Sequence, residues 1–421
     1  MKVREALTGK FFLDSVWMFI AYGFVALSGI LINYILGHFY GPDAVGVFNQ
    51  AYSLFQIFAV AGAMGINFST VKHVAEFKDD REKVVKIFST SQVVTFVCSS
   101  LVAMVIIAVI SLFPSLMSSE NVRISTILIT ISLPFFVTNK NTWSYYIGFR
   151  RMKEYSLFRL YRYIMTIIII GAWTIFKMPM VYAVLSFAIT DIIMSVYLHA
   201  INRKAFSVKE ISREWAGIHL SFGAKSILTE VISSVYARMP IIIVGYYLGD
   251  RDSGMYSIAS TMASGILIIA SILQDNFNPV VANLHGTGDT TMLNNYVRKL
   301  RKFSYLSLIP LIAGSVVIYK IYILFLGSEY KETSVIYNIL IIGVAMTYLV
   351  SWAGGVLTMT GNQMLNLLRI AITLVFAVVG CIILVPLMGV IGAAVSFSFS
   401  ALVNMIVLYI FILNRAKIKI L

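Results

Sequence analysis

Residues 364–412 read MLNLLRIAITLVFAVVGCIILVPLMGVIGAAVSFSFSALVNMIVLYIFI, and Arg369 is the one charge among them. A membrane-spanning helix needs about 20 mainly apolar residues, since each adds about 1.5 Å across a hydrocarbon core about 30 Å thick. The stretch therefore holds two spans, 364–385 and 389–412. Ten further apolar runs precede it, at 12–36, 43–69, 87–113, 124–147, 160–177, 180–200, 218–248, 254–279, 303–326 and 333–356. The fifth and sixth are parted only by a tight turn at Met178-Pro179. The first run is too long for the apolar region of a signal peptide and lacks a clear small-residue cleavage site, so it is read as the first span. The reading is an all-α integral membrane protein of about twelve spans.

Composition agrees. Apolar residues make up 59% of the 421 and charged residues 12%, against about 45–50% and about 25% in soluble chains. The net charge of +14 does not point to nucleic acid, because the cations sit in short clusters between apolar runs. Twenty-five Lys and Arg fall in one set of alternating segments, among them Lys72–Lys86, Arg150–Arg162, Arg203–Arg213 and Arg298–Lys302. The opposite set holds five: Arg123, Lys177, Arg251, Lys320 and Lys331. The positive-inside rule then puts both termini in the cytoplasm. Cys98 and Cys381 lie in apolar runs, and the five histidines are scattered, so neither a disulfide framework nor a metal site is expected. The one Gly-Lys pair, Gly9-Lys10, has Arg4 where a P-loop needs its first glycine, and no Gly-x-Ser-x-Gly occurs. No cofactor is expected.

A shift of 208 residues aligns two segments. Leu31–Leu54 reads LINYILGHFYGPDAVGVFNQAYSL and Met239–Met262 reads MPIIIVGYYLGDRDSGMYSIASTM. Gly37, Gly41 and Gly46 fall on Gly245, Gly249 and Gly254. Each segment ends one helix, turns outside the membrane and starts the next, and glycine tolerates the backbone angles of such turns. The offset is six spans, so the repeats are parallel: residues 1–208 form one lobe and 209–421 the other. Parallel six-span halves are a known transporter plan, with the substrate site between them.

Asn33–Gly37 with Gly41–Gly46, and Arg238–Gly249 with Gly254–Ala259, resemble the outer turns of polysaccharide repeat-unit flippases. These are O-antigen-type members of the multidrug/oligosaccharidyl-lipid/polysaccharide exporter superfamily. Leu326–Tyr330 and Pro386–Ala394 are similar to later landmarks of that family. The resemblance spans nearly the whole chain but rests mostly on glycines. It implies a V-shaped, two-lobed bundle working by alternating access in the bacterial inner membrane. It further implies a sugar carried on undecaprenyl pyrophosphate, with membrane lipid, a polysaccharide polymerase and chain-length proteins as partners.

Charge inside a bilayer costs at least about 2.5–3.5 kcal/mol on the insertion scale and so marks function or pairing. The intramembrane cations read from sequence are Lys140, flanked by Asn139 and Asn141, with Lys225 and Arg238. They are candidates for binding the pyrophosphate or for gating, Arg238 through its planar fork; ion pairing within the bundle is the other reading. Asp14, Asp191, Glu230 and Asp275 are the intramembrane carboxylates and candidates for ion coupling, or structural partners of cations. Gln50, Gln56, Asn67, Gln274, Asn276 and Asn278 are sugar-lining or interhelical amides. Pro134, Pro240 and Pro310 interrupt spans.

A cation-coupled drug exporter of the same superfamily is the alternative function. A membrane glycosyltransferase is disfavoured, since no loop exceeds about twenty residues or carries an acidic cluster beyond Asp79-Asp80 and Asp250-Arg251-Asp252.

Overall fold

The computed structural model describes residues 2–287 and 290–415; the side chains of residues 2–12, 15, 225, 226, 275, 276, 279, 290 and 413–415 lie outside the description. Among the described residues every regular element is helical. In chain order the α-helices are α1 (Lys2–Tyr40), α2 (Pro42–Ala63), α3 (Ile66–Glu76), α4 (Arg81–Leu112), α5 (Glu120–Thr130), α6 (Leu133–Gly148) and α7 (Met152–Ile175). They continue with α8 (Leu185–Ile201), α9 (Arg213–Leu248), α10 (Asp250–Gly286), α11 (Thr290–Leu326), α12 (Thr333–Met359), α13 (Gln363–Met388) and α14 (Val390–Arg415).

Among the described residues eleven helices are long and apolar enough to cross a membrane, and α5 with α6, bent by 50°, passes the same test as a pair and would make a twelfth. Pro134 sits at the start of α6, where its missing N–H and its ring break the fourth span. Pro240 and Pro310 stay inside unbroken helices. Apolar side chains stand in the open, Leu324 at 81%, Ile175 at 78% and Leu387 at 75%. Such a surface is stable only against hydrocarbon, so the chain is a multi-pass membrane protein.

The second span departs from its expected course. A continuous run over 43–69 is expected, but the helix stops at Ala63 and restarts at Ile66. Met64 and Gly65 both take positive φ, 45° and 67°. The cause is a close backbone approach: a Cβ on Gly65 would lie 2.6 Å from the Gly223 carbonyl oxygen, and one on Gly223 would lie 2.0 Å from that of Met64.

Of the aligned repeat glycines, two make the turns that the alignment suggests. Gly41 and Gly249 turn the chain between α1 and α2 and between α9 and α10, at φ 82° and 96°. Gly46 and Gly254 serve a different need. A Cβ on Gly46 would lie 1.8 Å from the carbonyl oxygen of Asp250, and one on Gly254 would lie 2.0 Å from that of Pro42. The starts of α2 and α10 therefore cross backbone to backbone, each through the other's glycine.

Contacts divide the chain into two compact units. Unit 1 comprises Met1–Phe39 and Val47–Arg238; unit 2 comprises Tyr40–Gly46 and Met239–Leu421. Unit 1 is bound by small polar residues between helices. Asn141 donates to Ser91 Oγ at 2.9 Å and accepts from Thr70 Oγ1 at 2.7 Å, and Gln92 donates to Thr142 at 2.6 Å. Ser69, His73 and His219 form a buried cluster, with Ser69 Oγ 2.8 Å from His219 Nδ1, beside an apolar contact of Val74, Ile87 and Trp215. Together with the Gly65–Gly223 contact it fixes the first half of α9 to α3. Unit 2 has a larger apolar core around Phe277, Val281, Val350 and Trp352.

Candidate functional site

The polar interior of unit 1 is organised around α6, whose residues take three directions because successive side chains stand about 100° apart on a helix. Lys140, Trp143, Ser144 and Ile147 line a cavity of about 340 Å³. Asn139 points elsewhere and donates to the Asp191 carbonyl at 2.8 Å. Asn141 points to α3 and α4 in the bonds given above. The polar patch expected of Asn139, Lys140 and Asn141 therefore does not form: the two amides are buried crosslinks, each 1% exposed, and Lys140 alone of the three faces the cavity.

Three cations line this cavity: Lys140, Arg159 and Arg162. Tyr22, Phe136, Tyr155 and Tyr163 supply aromatic walls, and Gln56 and Asn67 supply amides. Lys140 Nζ lies 2.7 Å from Glu230 Oε1, with the side chains 27% and 23% exposed. The other carboxylate oxygen of Glu230 is buried without a hydrogen bond. Arg162 is held as a fork, Nε 2.6 Å from Asp191 Oδ1 and Nη2 2.8 Å from Oδ2, and the side chains are only 2% and 0% exposed. Its guanidinium also lies over the rings of Phe136 at 4.5 Å and Phe187 at 4.9 Å. Arg159 donates to the Tyr155 hydroxyl at 2.8 Å and stands over the Tyr22 ring at 5.0 Å. Among the described residues no carboxylate lies within 4 Å of Arg159, so the cavity keeps a net positive charge.

Two buried polar atoms on its lining residues, Asn67 Oδ1 and Trp143 Nε1, have no hydrogen-bond partner. Native interiors pair such groups, so each points to a polar ligand or bound water at this site. Cations, aromatic faces and unpaired hydrogen-bonding groups together suit a sugar phosphate.

The other sequence candidates fall in different places. Arg238 contacts Ser234 one turn back, its Nη1 3.4 Å from both the carbonyl and Oγ, and no described carboxylate is within 4 Å of it. Asp14 lies before the apolar window Val16–Tyr40, 3.7 Å from Arg150. Gln50 accepts from Ser118 at 2.6 Å, and Gln274 donates to the Ser351 carbonyl. Asn278 presents a buried Oδ1 without a hydrogen bond in unit 2. The side chains of Lys225, Asp275 and Asn276 lie outside the described residues.

Sequence reasoning missed Arg159 and Arg162 by counting both with the cytoplasmic loop. Arg162 is 1% exposed and sits well inside α7. The signal was present, since Arg162 already falls within the apolar run 160–177.

This architecture is that of the MOP-superfamily transporters. A multidrug-resistance MATE family transporter of that superfamily, solved in an inward-facing conformation, is similar at a TM-score of 0.75 and 15% identity, over 93% of this chain and 94% of that one. A MOP superfamily transporter from Pyrococcus furiosus matches at 0.69 and 15%, over 96% and 94%. A eukaryotic MATE transporter matches at 0.69 and 12%, over 96% and 95%. At these identities the likeness defines the fold. The family described as "Polysaccharide biosynthesis protein" matches residues 11–285, and the chain belongs to that family. No curated protein matches the sequence. Family and fold together are those of a membrane flippase or exporter.

Proposed function

We propose that this protein flips oligosaccharide repeat units linked to undecaprenyl pyrophosphate across the bacterial cytoplasmic membrane, for assembly of a surface polysaccharide. The observation that carries the proposal is the cationic, aromatic-walled cavity of unit 1 in a member of a polysaccharide biosynthesis family. Its volume of about 340 Å³ is near the lower end of the roughly 300–1,000 Å³ of ligand pockets. It suits the pyrophosphate and the first sugar rather than a whole repeat unit. Arg159 offers a fork to phosphate, and the tyrosines and Trp143 offer faces to the sugar. The six-span halves, 1–208 and 209–421, are the units proposed to alternate.

Lys140 is the cation proposed to change partners. Bound to Glu230 it is neutralised; with Glu230 protonated it is free to meet an incoming phosphate. Proton uptake on Glu230 and substrate capture on Lys140 would then be linked, which gives a chain lacking a P-loop a way to draw on an ion gradient.

The test is flipping of a labelled lipid-linked oligosaccharide in proteoliposomes. Lys140→Ala and Arg159→Ala are expected to slow flipping at least tenfold while inserting normally. Glu230→Gln is expected to lose the response to an imposed pH or sodium gradient. Wild-type rates in both alanine variants would refute the site. Cation-coupled export of a drug is the competing reading, since the similar structures include a multidrug-resistance MATE family transporter; the net positive charge of the cavity favours an anionic substrate.

A further inference from the structure

A second recess lies on the opposite face of α6, away from the Lys140 cavity. Between α4 and α8 a cleft of about 550 Å³ is lined by Phe88, Val93, Phe96, Val196, Leu198 and Phe206, among others, with Thr138, Asn139 and Thr142 of α6 also on its lining. Its wall is open to the membrane, with Val196 68% and Phe96 43% exposed. Phe88 and Phe96 are eight residues apart on one helix, so the cleft runs about 12 Å along it. One leaflet of a hydrocarbon core about 30 Å thick is about 15 Å deep.

The cleft adjoins a polar recess of about 640 Å³ through Asn202, which lines both. Asn202 is pinned there, accepting from the Tyr146 hydroxyl at 2.9 Å and donating to the Leu198 carbonyl at 2.8 Å. The polar recess holds four cations, Lys78, Arg81, Arg151 and Lys204, and one carboxylate, Glu154. Arg151 takes that carboxylate at 2.7 Å, which leaves Lys78, Arg81 and Lys204 facing no acid of the recess. All three belong to the segments that the positive-inside rule assigns to the cytoplasm. A basic headgroup recess thus stands at the loop end of a largely apolar slot that is nearly one leaflet deep.

We propose that unit 1 binds an anionic phospholipid of the cytoplasmic leaflet here, its phosphate held by Lys78, Arg81 and Lys204 and an acyl chain seated between α4 and α8. Basic recesses between spans on the cytoplasmic side recognise anionic headgroups in this way. The inference rests on the cytoplasmic assignment of these loops, not on the identity of the transported substrate. The occupant is a resident lipid, because α6 separates this recess from the cavity proposed for transport.

The experiment is native mass spectrometry of the full chain in mild detergent, titrated with phosphatidylglycerol or phosphatidylcholine. Phosphatidylglycerol is expected to bind at least tenfold more tightly. Arg81→Ala with Lys204→Ala should weaken it about thirtyfold, at about 1 kcal/mol per basic residue, with phosphatidylcholine binding unchanged. Val196→Trp, which fills the cleft from an exposed position, should weaken binding of phosphatidylglycerol. Lys140→Ala should leave it unaltered. Equal affinity for the two lipids, or undiminished binding in the double variant, would overturn the proposal. Displacement of bound phosphatidylglycerol by equimolar undecaprenyl pyrophosphate would overturn it too, by giving the recess to the transported lipid. Loss of flipping activity would bear on the proposed function alone.

Discussion

Asp191→Asn is expected to be among the most destabilising conservative substitutions in this chain. Asp191 and Arg162 exchange two charge-assisted hydrogen bonds of 2.6 and 2.8 Å, and neither side chain reaches solvent appreciably. Changing the carboxylate to an amide removes the counter-charge and turns one acceptor into a donor facing a guanidinium. Arg162 has nowhere to go: Phe136 and Phe187 lie under its plane, and an ordinary arginine cannot shed its proton. Breaking a buried pair from one side costs about 3–5 kcal/mol, a factor of about 10²–10³ or more in the folded-to-unfolded ratio. Replacing both partners by apolar residues of similar size is often neutral. Arg162→Met with Asp191→Leu should therefore recover most of the lost stability while removing a cation from the cavity. The assay is thermal denaturation in detergent, followed by size-exclusion recovery, on the wild type, the two single variants and the double variant. An Asp191→Asn protein as stable as wild type, or a double variant no better than the single, would refute the buried-pair argument.

Gly46→Ala should cost about 1–3 kcal/mol or more, since its Cβ meets a carbonyl oxygen that no side-chain rotation can move; Gly29→Ala, with nothing within 4 Å, is the neutral control in the same melting assay. Reporter fusions after Lys86, Lys153, Arg213 and Lys302 should report cytoplasm and those near Pro42, Asp252 and Lys331 the outside; an external signal at Lys302 would refute the parallel repeat. Arg238→Ala should reduce surface polymer in cells while protein stays in the membrane, and Arg238→Lys should restore it in part if a bidentate phosphate contact matters; full polymer in Arg238→Ala would make the residue structural.

The spans were legible because length and hydropathy decide them, and the bilayer enforces both. All twelve expected runs have a counterpart among the candidate spans, the fourth as the bent pair at Pro134. The turns at Gly41 and Gly249 were legible from the repeat. The break at Met64-Gly65 was not, because its cause is Gly223, more than 150 residues away in the sequence. The candidate site was harder for the same reason. Lys140 and Glu230 could each be named as buried charges, but their pairing spans 90 residues and no periodicity reports it. The Asn139–Lys140–Asn141 run misled because adjacency in sequence is divergence on a helix. Arg162 was hidden by its neighbours, the last of a cation run that begins in a loop and ends inside a span.

The two intramembrane ion pairs of unit 1 share a charge pattern and differ in how readily they can open. Asp191 gives both oxygens to one guanidinium and is sealed from solvent, so releasing it means stranding two buried charges at once. Glu230 gives one oxygen to a flexible ammonium, keeps the other unbonded and is 23% exposed. A coupling carboxylate must gain and lose its partner in each cycle, and a difference of a few kcal/mol between its two states is enough to reverse their populations. By that criterion Asp191 is part of the scaffold that shapes the cavity. Glu230 is the carboxylate proposed to change, on protonation, what the cavity offers to a phosphate. The consequence is measurable as a difference in kind: Asp191→Asn should lower the yield of folded protein, whereas Glu230→Gln should leave a stable protein that ignores the gradient. A Glu230→Gln protein that fails to fold would assign both carboxylates to the scaffold and move the coupling site elsewhere.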